Sequence, residues 1–177
     1  MVDERVFRQV MSRFAAGVTV ITTRDRDGER IGFTATAFTS VSLAPPLVLC
    51  CVVSGCRADR ALREAPGFAV SVLREDQADL ALRFADRGIE DRFESVGLTD
   101  AGLGLPVLTG AIATLTCTGA GFFEAGDHAI HLGQVIDAEH SEDLPLLHFG
   151  GAFGELKREQ YPLAAEPIAD WMVGAAW

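Results

Sequence analysis

The sequence predicts a mainly β domain: a closed or nearly closed β-barrel with a few peripheral helices. Short apolar, β-branched runs recur along the chain, among them GVTVITT at 17–23 and LVLCCVV at 47–53. Turn signals separate neighbouring runs, most clearly Asp27-Gly28 between the run at 18–23 and the one starting at Ile31, which is a hairpin pattern. Helical periodicity is confined to short stretches, and no βαβαβ series appears, which argues against a doubly wound parallel sheet.

Taken in order, residues 3–15 predict a helix that Asp3 caps, with Val6, Phe7, Val10, Met11 and Phe14 on one face and Gly17 ending it. The 18–23 hairpin follows, then a polar stretch, then 47–53 as a continuous apolar strand expected to be buried on both faces. Residues 57–64 suit a short helix, 68–73 a strand, and 75–85 a helix with Leu80 and Phe84 facing inward. From 89 to 106 the chain is Gly-rich and irregular. Residues 111–118 and 129–138 alternate well enough for two long strands joined by a turn at 124–127, and a last short strand is expected at 146–149. One domain is expected over 1–158. Residues 159–177 are expected to form a C-terminal tail, with Tyr161 onward holding two Pro and two Trp, which wraps a partner subunit or stays partly disordered.

Composition narrows the function classes. The chain has 177 residues, 49% of them apolar, enough for a core without metals or disulfides. Its apolar runs are too short for a bilayer span of about 20 residues, so no membrane partner is expected. The N-terminal stretch 1–8 carries charges of both signs and does not read as a signal peptide, which points to the cytoplasm. The four cysteines agree: no C-x-x-C pair exists, and reduced, buried thiols are the expected state. Cys50 and Cys51 are adjacent and would face opposite sides of a strand. A net charge of -10 and a single lysine, Lys157, argue against a nucleic-acid partner.

Several motifs fail on inspection. Gly102-Leu103-Gly104 opens like a dinucleotide fingerprint, but Val107 replaces the last glycine and Pro106 interrupts any helix. His128 and His131 lie three apart on a predicted strand and would face opposite ways, so no joint metal site is expected. No G-x-S-x-G elbow and no P-loop occur. The informative stretch is 32–46, GFTATAFTSVSLAPP, crowded with small and hydroxyl residues. A strand approached closely by a flat ligand needs small side chains, and its hydroxyls and free N–H groups then hold carbonyls, a sugar chain or a phosphate. A Thr/Ser-rich edge strand of a barrel has the same composition.

Four segments together carry a resemblance: 14–22 (FAAGVTVIT), 32–46, 68–73 (FAVSVL) with the LREDQADLALRFA that continues it, and 126–135 (GDHAIHLGQV). With them the sequence resembles the short-chain NAD(P)H:flavin reductases, the reductase components of two-component flavin monooxygenases, whose fold is an FMN-binding split barrel. Through VLREDQADLALRFA it also resembles FMN reductases of actinomycete aromatic polyketide pathways. The resemblance implies hydride transfer to flavin N5. It implies FMN, alternatively FAD, as cofactor and NADH or NADPH as electron donor. Its expected partners are a second copy in a homodimer and a flavin-dependent monooxygenase that receives the reduced flavin.

The same resemblance implies roles for individual residues. Thr34, Thr36, Ala37, Ser40, Val41 and Ser42 match the strand and loop along the flavin ring and ribityl phosphate. Ser54 to Arg57 fall at the phosphate end, where the Arg57 fork would suit phosphate oxygens, although a surface charge at a helix start fits the residue equally well. His128, within Gly126-Asp127-His128, matches the nicotinamide side, or is a strand-end histidine bonded to its own turn. Phe149, Phe153, Trp171 and Trp177 are candidates to cover a subunit groove, or to fold back on their own barrel. Two departures touch the flavin. Many relatives have an Asn-x-Ser-x-Thr-like pattern where this chain has Val53, Cys56 and Ala58. Near the end, where relatives often carry aromatic and arginine residues, it reads 148–153, HFGGAF. Two alternatives to free-flavin reduction are a flavoenzyme that retains FMN and acts on an organic substrate, and a non-catalytic flavin-binding module.

Overall fold

The structure, a computed structural model, describes residues 2–157, so the predicted tail with Trp171 and Trp177 lies outside the described residues. The elements run α1 (Glu4–Met11), β1 (Ala16–Gly17), β2 (Thr19–Arg24), β3 (Arg30–Ala35), β4 (Phe38–Leu43), β5 (Pro46–Val53) and α2 (Arg57–Glu64). They continue with β6 (Gly67–Val72), α3 (Ala78–Ala85), β7 (Leu98–Asp100), β8 (Pro106–Leu108), β9 (Ala113–Ala125), β10 (His128–His140), β11 (Leu147–Phe149) and β12 (Ala152–Gly154).

Seven strands form one antiparallel sheet in the order β3-β2-β6-β9-β10-β5-β4. Its two edge strands, β3 and β4, are not hydrogen-bonded to each other, yet only Thr36 and Ala37 separate them in the chain. The sheet therefore curls round until its edges meet at an unpaired seam, and the barrel is split there. Ile21, Val48, Cys50, Val52, Phe68, Val70 and Cys117 fill the interior. A second cluster, with Val18, Val20, Leu73, Ala81, Phe84 and Phe93, fastens α3 and the segment after it to the outside of β2 and β3.

Local chemistry explains most element ends. Asp3 caps α1, its carboxylate accepting the N–H groups of Arg5 and Val6 at 2.9 and 3.2 Å. The expected helix of 3–15 stops at Met11, because Ala16 and Gly17 are drawn into pairing with β11, and the Gly150 N–H donates to Ser12 O. The apolar face of α1 is not covered: Val6, Phe7, Val10, Met11 and Phe14 are all exposed. At the other end of the first hairpin, Gly28 takes the left-handed backbone (φ 82°) that the predicted turn requires.

Three further expectations need correction. β5 is not buried on both faces: Val48, Cys50 and Val52 point into the core, whereas Leu47, Leu49 and Cys51 are only partly covered. The alternation places Cys50 and Cys51 on opposite faces, as expected. The stretch 89–106 is not wholly irregular, since β7 pairs with β8, whose Val107 and Leu108 are buried. β9 and β10 each run to 13 residues, longer than their apolar alternation predicts, because the tip half of β9 is exposed on both faces and carries no burial pattern.

Gly133 shows how tightly the barrel is filled: a Cβ there would lie 2.5 Å from Phe68 Cζ and 2.8 Å from Cys117 Cβ. The variant Gly133→Ala is expected to lose about 1–3 kcal/mol of stability, read from the midpoint of urea denaturation at unchanged slope.

Candidate functional site

A cleft of about 500 Å³ opens at the seam of the barrel. One wall is the end of β3 with its link to β4, residues 33–37; the other is the end of β5, Cys51 to Val53. The start of α2 (Cys56, Arg57, Ala58), the end of α3 (Phe84, Ala85), Arg87, Arg92 and His128 complete it. The wall from Thr34 to Ala37 has no side chain larger than threonine, so a flat ring can approach its backbone closely. The sheet leaves donors there too. The N–H groups of Thr36 and Ala37 have no acceptor among the described residues, while the Ala37 carbonyl accepts from Cys51 N–H at 3.0 Å. Thr34 Oγ1 is committed elsewhere, donating to Ala81 O at 2.6 Å.

The rim is cationic. Arg92 is fixed by donating to Asp86 O at 2.8 Å and to Gly32 O at 3.1 Å. Arg57 reaches Asp25 at 3.4 Å and is otherwise exposed. His128, which opens β10 beside Val53, also lines the cleft, its Nδ1 2.7 Å from Asp127 Oδ1. That contact holds the Asp127 carboxyl below the usual carboxylate range. The two cleft thiols differ in setting. Burial pushes Cys51 up, whereas Cys56 caps α2 by accepting the Asp59 N–H at 3.4 Å. Deeper in the barrel, burial takes Cys50 and Cys117 up to about 12, so both stay protonated thiols.

Of the residues singled out from sequence, the cleft brings together Thr34, Thr36, Ala37, Arg57 and His128. Val53, Cys56 and Ala58, the positions that depart from the usual polar pattern, also line it. Ser40, Val41 and Ser42 do not: they lie along the edge strand β4, outside this lining. Ser54 is outside this lining too, donating to Glu124 Oε2 at 2.9 Å. Phe149 and Phe153 are exposed on β11 and β12, away from the cleft. Sequence reasoning missed Arg87 and Arg92, which lie in a stretch without periodicity. It also missed the buried pair Asp59–His131, with Nε2 2.8 Å from Oδ1 and side chains 1% and 4% exposed. Partners 72 residues apart leave no local signal. As expected, His131 faces away from His128, the two falling on alternate faces of β10.

Fold and cleft define a split-barrel protein whose seam suits a flat, anionic ligand. The residues present fit a flavin mononucleotide: a small-residue wall with free N–H groups, the apolar side chains of Phe33, Val52 and Phe84, and the guanidinium groups of Arg57, Arg87 and Arg92 in the lining. Residues 11–157 match the family described as Flavin reductase like domain, and the chain belongs to that family. It is 39% identical over 153 residues to the reductase subunit HsaB of a flavin-dependent monooxygenase from Rhodococcus jostii, covering 86% of this chain and 77% of that protein. It is 39% identical over 157 residues to the FMN reductase (NADH) SmoA of Agrobacterium fabrum, covering 89% and 88%. The structure of the NADH:FAD oxidoreductase SgcE6 of Streptomyces globisporus, in complex with NAD and FAD fragments, matches at a TM-score of 0.83 and 40% identity. That match covers 93% of this chain and 98% of the other.

Proposed function

We propose that the protein is an NAD(P)H:flavin oxidoreductase that reduces free flavin and supplies it to a monooxygenase partner. The observation that carries this reading is the cleft at the barrel seam: a wall of small residues with free N–H groups, with three arginines in the same lining. When bound, the flavin supplies the electron-accepting ring, which takes a hydride at N5 from the nicotinamide C4. The chain's own part is to bind, orient and shield. Thr36 and Ala37 offer N–H donors to the ring edge, and Phe33, Val52 and Phe84 keep water from one side. Arg57, with Arg87 and Arg92, holds the phosphate. His128, held in place by Asp127, positions the nicotinamide. Ser40, Val41, Ser42 and Ser54 act on the ligand only indirectly in this arrangement, by shaping β4 and the turn before α2.

The test is NADH and NADPH oxidation by the purified protein with added FMN, FAD or riboflavin, after its visible spectrum is recorded. Multiple turnovers of added flavin by a nearly colourless protein are the expected result. A yellow protein that ignores free flavin would replace this reading with an enzyme that retains its FMN. In the same assay His128→Ala is expected to raise KM for the nicotinamide nucleotide by about tenfold, the loss of one positioned contact. Unchanged kinetics would remove His128 from the site.

The reading extends to a homodimer in the cytoplasm. The uncovered face of α1, with Phe7 and Val10 at its centre, supports self-association. Four free thiols suit a reducing compartment. Phe7→Glu combined with Val10→Glu is expected to convert the dimer to a monomer in sedimentation. A dimer that survives both changes uses another surface.

A further inference from the structure

The turn that carries Cys56, Arg57 and Ala58 into the cleft is held from behind by a closed ring of hydrogen bonds. Asp59 is its centre, fully buried on the first turn of α2. One carboxylate oxygen accepts the Gly55 N–H at 2.7 Å. The other accepts from Arg63 Nε at 2.9 Å and from His131 Nε2 at 2.8 Å. Arg63 continues to Glu124 at 2.6 Å, and Glu124 accepts from Ser54, the residue before Gly55. Phe122 closes the outside, with the Arg63 guanidinium 4.1 Å from its ring centre. The Ser54 N–H donates to Asp127 O at 3.0 Å, so the turn is also tied to the residue that holds His128.

The ring fixes a turn that needs glycine: Gly55 has φ 73°, in the left-handed region. It also decides which donors face the ligand. Asp59 takes the Gly55 N–H, and Cys56 Sγ takes the Asp59 N–H. The first-turn N–H groups of Arg57 and Ala58, two residues that line the cleft, are left without a partner inside the helix. The negative charge of Asp59 is turned away from the cleft and matched by Arg63.

We infer that Asp59 is a positioning residue for the ligand's phosphate: it aims the start of α2 and Arg57 at the cleft while touching neither ligand. The inference rests on reading the cleft as a flavin site. It makes Asp59 matter for FMN and not for riboflavin, which has the same ring and no phosphate.

The test is a fluorescence titration of oxidised FMN and of riboflavin against the wild-type protein and Asp59→Asn, alongside KM for both flavins. The wild type is expected to bind FMN more tightly than riboflavin. Asp59→Asn is expected to weaken FMN binding by about tenfold, the worth of one charge-assisted contact, with riboflavin binding and turnover held within about twofold. Equal loss for both flavins, or no change, in a variant with wild-type circular dichroism would overturn the inference, as would a wild type that does not discriminate between the flavins. If Asp59→Asn does not fold, Arg63→Met serves instead. It removes the outer half of the ring at a partly exposed position and leaves the Asp59 bonds to Gly55 and His131. The same FMN-selective loss, smaller in size, is then expected, and a loss shared with riboflavin would overturn the inference. Selective FMN binding without any NADH or NADPH oxidation would leave this inference standing and sink the reductase reading, so the two fail separately.

Discussion

Asp59→Ala is expected to destabilise the protein by about 3–5 kcal/mol at neutral pH, the usual cost of removing one member of a buried ion pair. His131 Nε2 and the Gly55 N–H lose their acceptor, and Arg63 is left with Glu124 alone. The effect depends on pH with a definite sign. Burial pushes the Asp59 carboxyl up, but bonds from Arg63, Gly55 and His131 together outweigh it and hold the carboxyl below the usual aspartate range. A group whose folded pKa is depressed contributes its stability above the unfolded pKa and loses it as pH falls through the folded value. The difference between wild type and Asp59→Ala is therefore full above about pH 4 and shrinks below it. Chemical denaturation at pH 7 and at pH 3 measures both points. A difference that grows on acidification would contradict the ion-pair account.

Phe84→Ala is expected to cost a similar amount, about 3–5 kcal/mol, and in addition to open the cleft. Phe84 is 1% exposed, packs edge-on against Phe93 with ring centres 5.0 Å apart, and presses on the backbone of Gly32, where a Cβ would lie 2.7 Å from its Cε1. The same ring forms part of the cleft floor. Loss of the ring should therefore lower the denaturation midpoint and weaken flavin binding together. Leu82→Ala, on the exposed side of the same helix, is expected to do neither. If Phe84→Ala lost stability while binding flavin as tightly as the wild type, the floor of the site would have to be sought elsewhere.

Local pattern sufficed wherever an element's cause is local. The capping of α1 by Asp3, the hairpin around Gly28, the helix at 57–64 and the opposite facing of Cys50 and Cys51 all follow from neighbouring residues, and all are present. The small side chains from Thr34 to Ala37 were legible too, although their composition suits a barrel edge strand equally well, and it is the fold that sets them along the cleft. What could not be read was any feature whose cause is distant in sequence. The end of α1 is decided by β11, some 130 residues on, and the run of β4 away from the cleft by its pairing to β5. Arg87 and Arg92 reach the rim because α3 packs across β3, and the Asp59 ring closes only when β9 and β10 bring Glu124 and His131 to α2. Pattern within the sequence was enough for a β-barrel, its hairpins and its caps. The tertiary structure alone decided where the barrel splits and which charges gather at that split. Backbone propensity and side-chain size act within a few residues, whereas a buried charge finds its partners only after the chain has folded around it.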